Sequence, residues 1–147
     1  MDDNKKKIAF IINPISGTQG KEHILKWLDE KLDKNRYMPE VIYTEWAGHA
    51  VEIASRKAKE EVFAVVAIGG DGTINEIARS LVHTKTALGI IPCGSGNGLA
   101  RHLQIPMEAK KAIDIINEGL IDIIDYGKIN DVPLFCTCGV GFDAFVS

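Results

Sequence analysis

Hydrophobic positions along the first 119 residues fall into short continuous runs separated by stretches of helical spacing. Ile8-Ala9-Phe10-Ile11-Ile12 is an unbroken apolar run behind three lysines, the pattern of a strand covered on both faces in a parallel sheet. It ends at Asn13-Pro14. Ile24, Leu25, Leu28 and Leu32 then recur at helical spacing with charged residues opposite, which predicts a helix from about residue 20 to 34. Val41-Ile42-Tyr43 predicts a second strand, and Val51, Ala54 and Ala58 the apolar side of a second helix. Phe63 to Ile68, rich in β-branched residues, reads as a third strand. Ile74, Ile77, Ala78, Leu81 and Val82 mark a third helix, Ala87 to Ile91 a fourth strand, and Ala109 to Ile116 a further helix. This alternation predicts a Rossmann-like, three-layer α/β domain whose mainly parallel sheet is linked by right-handed crossovers.

After Gly119 the rhythm changes. Ile121 to Ile129 and Leu134 to Cys138 read as strands joined by a turn at Asn130-Asp131, with no helix between them. The expected division is therefore an α/β domain over residues 1–120 and the start of a β-rich unit over residues 121–147. The last residues, Gly-Phe-Asp-Ala-Phe-Val-Ser147, carry no turn or cap signal, so the natural protein is expected to continue.

Composition narrows the class. With 147 residues, 46% of them hydrophobic, the chain has enough apolar surface for a real core. A net charge of -3 argues against nucleic acid as the main partner, although a local cluster can still hold a phosphate. Cys93, Cys136 and Cys138 form no C-x-x-C pair, and no charged-then-apolar leader precedes the first strand, which together fit reduced thiols in the cytoplasm. Cys136 and Cys138 alternate along one strand and read as core-filling thiols. Apolar stretches such as Val62 to Ile68 are far shorter than the roughly 20 residues needed to cross a bilayer. His23, His49, His83 and His102 have no second ligand at metal spacing and read as surface residues, His49 at a helix start.

The candidate chemistry lies in glycine-rich segments after the first, third and fourth predicted strands, and so at the carboxyl edge of the sheet, where doubly wound folds bind ligands. In Gly69-Gly70-Asp71-Gly72-Thr73 the glycines let backbone N–H groups approach an oxyanion, and Thr73 would open a helix whose N-terminus attracts phosphate. Asp71 does not suit a plain anion cradle. A carboxylate there repels phosphate unless it holds Mg²⁺ or accepts a proton from an attacking hydroxyl, which points to catalysis. Thr73 and Glu76 also match a capping box, a reading compatible with the first. Asn13-Pro14-Ile15-Ser16-Gly17 could donate to phosphates from the first loop, and Gly94-Ser95-Gly96-Asn97 from the third. Gly17-Thr18-Gln19-Gly20-Lys21 is too short between its glycines for a P-loop, and Leu99 stands where a dinucleotide fingerprint needs its third glycine.

Together, Asn13-Pro14-x-Ser16-Gly17, Thr44-Glu45-x-Ala47-Gly48-His49-Ala50, Gly69-Gly70-Asp71-Gly72-Thr73-x-Asn75-Glu76 and Gly94-Ser95-Gly96-Asn97 resemble the diacylglycerol kinase catalytic-domain family, which includes bacterial lipid kinases and sphingosine kinases. The resemblance implies transfer of the ATP γ-phosphoryl group, with Mg²⁺, to a lipid hydroxyl at the inner membrane surface. It implies ATP contacts at Asn13, Pro14, Ile15, Ser16, Gly17, Thr44, Gly69, Gly70, Asp71, Gly72, Thr73, Ile74, Asn75, Gly94, Ser95, Gly96 and Asn97. Asp71 would act at the phosphates, as metal-network residue or base, and Asp143, in Gly141-Phe142-Asp143-Ala144, would face the lipid headgroup or the metal network. Gly98 departs from the Asn-Asp of many bacterial members, and Thr137 from a usual Asn. The resemblance leaves open a homodimer and the identity of the lipid. Other classes carried alongside are an NAD kinase, which shares the Gly-Gly-Asp-Gly loop, and a non-catalytic nucleotide-binding regulatory module.

Overall fold

A computed structural model of the chain describes residues 5–14, 21–81, 84–92, 109–118, 121–123, 127–129, 132–134 and 138–140. Ile15, Ser16, Gly17, Gly94, Ser95, Gly96, Asn97 and Asp143, as well as Val82, lie outside them, and Asp71 is described by its backbone alone. The strands are β1 (Lys6–Ile12), β2 (Tyr37–Tyr43), β3 (Ala64–Gly69), β4 (Ala87–Pro92), β5 (Ile121–Ile123), β6 (Gly127–Ile129), β7 (Val132–Leu134) and β8 (Cys138–Val140). The helices are α1 (Lys21–Lys31), α2 (His49–Lys59), α3 (Asp71–Leu81) and α4 (Ala109–Glu118). One sheet runs in the order β2-β1-β3-β4-β8-β5, parallel as far as β8, with β5 antiparallel at its edge. The α/β class expected from the alternating pattern is the observed one. β6 and β7 form a separate antiparallel hairpin in which Ile129 faces Val132, while residues 130 and 131, expected as its turn, lie outside the described residues. The stretch expected as one strand, Ile121 to Ile129, is thus two, and the first of them joins the main sheet.

The continuous apolar runs occupy the middle of that sheet. Ile8 to Ile12 of β1 and Ala64 to Ile68 of β3 are buried, because helices cover both faces and no strand position is left for water. Gly89 in β4 answers a packing need: a Cβ built there would lie 2.9 Å from Val66 Cγ2 on β3. Gly89→Ala is expected to cost about 1–3 kcal/mol of stability through this overpacking. Urea denaturation of Gly89→Ala, Val66→Ala and the pair checks it: the pair is expected to cost less than the two single losses added together, and strictly additive losses would refute the steric account.

Three elements depart from the sequence expectations. First, α1 stops at Lys31, because Asn117 on α4 takes over its end. The Asn117 amide donates to the Lys31 carbonyl at 2.8 Å, and its Oδ1 accepts the Asp33 N–H at 2.8 Å. Lys31 also pairs with Asp114 at 3.1 Å, so the terminus is tied to α4 rather than extended to residue 34. Second, β2 begins four residues before Val41. Tyr37, pairing with Lys6, is buried, and its hydroxyl donates to the Ile116 carbonyl at 2.8 Å. Pro39 obscured this strand, yet β2 is the sheet edge, where a missing N–H is tolerated.

Third, the buried face of α2 is Ala50, Ile53, Ala54 and Lys57, whereas Val51 is 39% exposed and Ala58 half-buried. Packing selects the stripe that contains the largest apolar side chain, Ile53. Lys57 joins it by laying its aliphatic stem inward while Nζ reaches Glu40 at 2.7 Å and Glu60 at 3.3 Å. The hydrogen bond to Glu40 raises the ammonium pKa above its ordinary value, against the opposing effect of burial.

Candidate nucleotide-binding site

Strand order locates the site before any side chain does. The chain passes from β1 outward to β2, then returns to the other side of β1 with β3, so the connections diverge between β1 and β3. In an open parallel sheet, a crevice forms beyond the carboxyl ends of the strands at such a point. Asn13 follows β1 there, Thr44 follows β2, and Gly69-Gly70 closes β3. The Thr44 N–H donates to the Ile12 carbonyl at 2.9 Å, which extends the β1–β2 pairing by one residue and holds the largely buried Thr44 at the strand ends.

A cleft of about 260 Å³ opens at this edge. Asn13, Thr44, Gly70, Gly72 and Thr73 line it, joined by Trp46, Ala47, Gly48 and Ala50 from the β2–α2 turn and by Glu76 from α3. Five of the expected site residues are therefore brought together. Gly69 stands behind them as a spacer, since a Cβ there would lie 3.2 Å from Thr73 Cβ. Ile74 does not line the cleft: its side chain is fully buried in the core and its N–H is bonded to the Gly70 carbonyl. Pro14 and Asn75 are likewise not among the lining residues.

The start of α3 differs from the sequence expectation. Gly70 accepts the Ile74 N–H at 3.0 Å, so Gly70 is the N-cap and Asp71 the first helical residue. Thr73 does not open the helix, and Thr73 and Glu76 sit one turn too deep to form a capping box. The consequence favours anion binding. The amides of Asp71, Gly72 and Thr73 have no acceptor within the helix, and they belong to the positive end of its dipole. Gly72 leaves open space, because a Cβ there would meet nothing within 4 Å.

Opposite that helix start, α2 is preceded by Gly48 in the left-handed region at φ 85°, a conformation glycine adopts without Cβ strain. The turn brings the rings of Trp46 and His49 into a stack with centroids 3.7 Å apart and planes 15° from parallel. His49 does begin α2, as its position implied, but it is not a loose surface histidine: its Nδ1 accepts the Glu45 N–H at 2.9 Å. Among the described residues no group of three His, Cys, Asp or Glu side chains could hold a metal ion.

Residues 7–129 match the family described as the diacylglycerol kinase catalytic domain. The chain belongs to this family. A diacylglycerol kinase of Staphylococcus saprophyticus is 34% identical over 128 residues, which are 86% of this chain and 42% of that protein. One from Staphylococcus aureus (strain bovine RF122 / ET3-1) is 36% identical over 132 residues, 86% of this chain and 41% of the other. A crystal structure of a diacylglycerol kinase from Bacillus anthracis superposes with a TM-score of 0.74 at 26% identity, over 85% of this chain and 44% of that one. The chain spans about two-fifths of the length of the curated relatives it matches.

Set within the diacylglycerol kinase family, Trp46, Ala47, Gly48, Ala50 and Glu76 are the cleft residues that sequence reasoning did not assign to the site. Trp46 fell at an unspecified position of its motif, and Glu76 was read as a helix cap. The available signal for Trp46 was a large aromatic directly before Ala-Gly in a strand-to-helix turn, where nothing in the hydrophobic pattern asks for one.

Proposed function

We propose that this chain is the nucleotide-binding part of an ATP-dependent lipid kinase, which transfers the γ-phosphoryl group to a hydroxyl of a diacylglycerol- or sphingoid-type lipid. The observation that carries the reading is the meeting of Asn13, Thr44 and the Gly70–Thr73 helix start around one cleft at the sheet's topological switch point. Free amides at a helix N-terminus bind phosphate, and phosphoryl transfer asks little of a protein beyond positioning and charge stabilisation. The amides of residues 71–73 would hold the nucleotide phosphates. Asp71, at the first position of α3, would accept the proton of the attacking lipid hydroxyl.

Mg²⁺ fits this residue set. The ion is commonly held by one or two carboxylates together with substrate phosphates rather than by a full protein cage, and Asp71 and Glu76 are the carboxylate residues on the first turns of α3. When bound, it would neutralise charge building on the phosphate oxygens. The remaining parts of the proposal concern the acceptor. Residues 121–147, which include the β6–β7 hairpin in its own sheet, would begin the lipid-binding unit, with Asp143 toward the headgroup. No helix among the described residues is long and apolar enough to cross a membrane. The lipid acceptor would be met at the cytoplasmic membrane surface.

The test is a transfer assay of the full-length natural protein with radiolabelled ATP, Mg²⁺ and vesicles carrying a diacylglycerol, a sphingoid base or undecaprenol, with NAD as a separate acceptor. Label is expected in one of the lipids. Label in NAD instead, or bound ATP with no labelled lipid across the panel, would overturn the reading.

A further inference from the structure

The phosphate end of the cleft leaves its other end unassigned. There Trp46 lines the opening beside Ala47, Gly48 and Ala50. Trp46 is 55% exposed, although tryptophan is the side chain with most to gain from burial. It is nonetheless fixed: one face stacks on His49, its Nε1 donates to Glu52 Oε2 at 3.0 Å, and its carbonyl accepts the His49 N–H at 3.1 Å. The His49 ring is itself held by the Glu45 N–H. The neighbouring residues are small, and a Cβ at Gly48 would meet nothing within 4 Å. A rigid aromatic surface, covered on one side and bordered by empty space, is the arrangement that accepts a flat aromatic ligand.

We propose that Trp46 is the nucleobase platform of the site, with the purine of ATP stacked on the indole and His49 acting as the positioning residue behind it. The proposal rests on the assignment of nucleotide phosphates to the start of α3. Trp46 would bind the base without touching the reacting atoms, so it should govern nucleotide affinity and leave the chemical step alone. Stacking reads the ring's π-face rather than its hydrogen-bonding edge, so GTP should share the platform and the smaller pyrimidine of CTP should bind less well.

The experiment is calorimetric titration of the full-length protein and its Trp46→Ala and Trp46→Phe variants with ATP and, separately, with inorganic tripolyphosphate, which has the phosphates and no base. Trp46→Ala is expected to weaken ATP roughly tenfold, to leave tripolyphosphate unchanged, and to raise KM for ATP at constant kcat, while Trp46→Phe stays near the parent. ATP affinity unchanged in Trp46→Ala would overturn the platform and leave the nucleotide reading intact. Equal weakening of ATP and tripolyphosphate would show that Trp46 only holds the loop, which also overturns it. A parent protein that binds tripolyphosphate and not ATP likewise has no base platform, whereas one that binds neither defeats the phosphate assignment itself. Should Trp46→Ala fail to fold, a Trp46→Leu variant, apolar and without a π-face, is expected to show the same tenfold loss.

Discussion

Asp71→Asn in the full-length protein is expected to retain the fold and ATP binding while losing at least about 100-fold in phosphoryl transfer, the lower range for removal of a group that moves a proton in the transition state. The substitution isolates chemistry because of where Asp71 stands. As the first residue of α3 it follows the Gly70 N-cap, so its backbone role is to begin a helix, which Asn does nearly as well. The structural loss is the attraction of a carboxylate to the helix dipole, typically about 0.3–1 kcal/mol. Affinity for ATP measured without Mg²⁺ should hold or improve, because one negative charge leaves the neighbourhood of the phosphates. Thermal melting, ATP titration and single-turnover transfer separate these effects. Transfer at the parent rate would remove Asp71 from the reaction, and a collapse of stability would show that its role is in folding.

Gly72→Ala should produce the opposite pairing of effects. A Cβ at Gly72 meets nothing within 4 Å, and the residue lies in the first turn of α3 without a left-handed backbone, so alanine fits and is the better helix former by up to about 1 kcal/mol. The empty space is, however, the side of the cleft from which a phosphate would approach the amides. A methyl group there would lengthen or remove two charge-assisted hydrogen bonds, which together are worth about 3 kcal/mol, or roughly 100-fold in affinity. Melting temperature should rise slightly while the Kd for ATP rises by that factor. A variant that binds ATP as tightly as the parent would mean that phosphates do not reach the backbone at this position.

The legible parts of the chain were those in which one local pattern had one physical outcome. Ile8 to Ile12 and Phe63 to Ile68 could be read as buried strands because an unbroken β-branched and aliphatic run has no polar face to present to water. Ile74, Ile77, Ala78 and Leu81 named the inner face of α3 correctly, and all four are buried. Reading failed where two stripes of similar residues competed. On α2, Val51-Ala54-Ala58 and Ala50-Ile53-Ala54-Lys57 are both spaced for a helix, and only docking on the sheet puts Ile53 inward and uses Lys57 as an amphipathic filler. Helix ends were equally non-local. Nothing near Lys31 in sequence announces that Asn117, far along the chain, will bond its carbonyl.

The site divides in the same way. The glycines after β1 and β3, the acid at Asp71 and the absence of a Walker loop are properties of short segments, and their chemistry follows from residue type and spacing. That Gly70 rather than Thr73 begins α3 depends on one backbone hydrogen bond, and it changes which amides are left for a ligand. That Asn13, Thr44 and Gly72 share a cleft depends on β2 and β3 flanking β1, a strand order that no local pattern contains. The sequence alone determined the α/β class and the positions of the glycine-rich loops, and it supplied the expectation of a phosphate ligand, because apolar periodicity and glycine content act within a few residues. Tertiary structure decided the membership and depth of the cleft and placed Trp46 on its rim, because these arise from segments tens of residues apart meeting at one edge of a sheet.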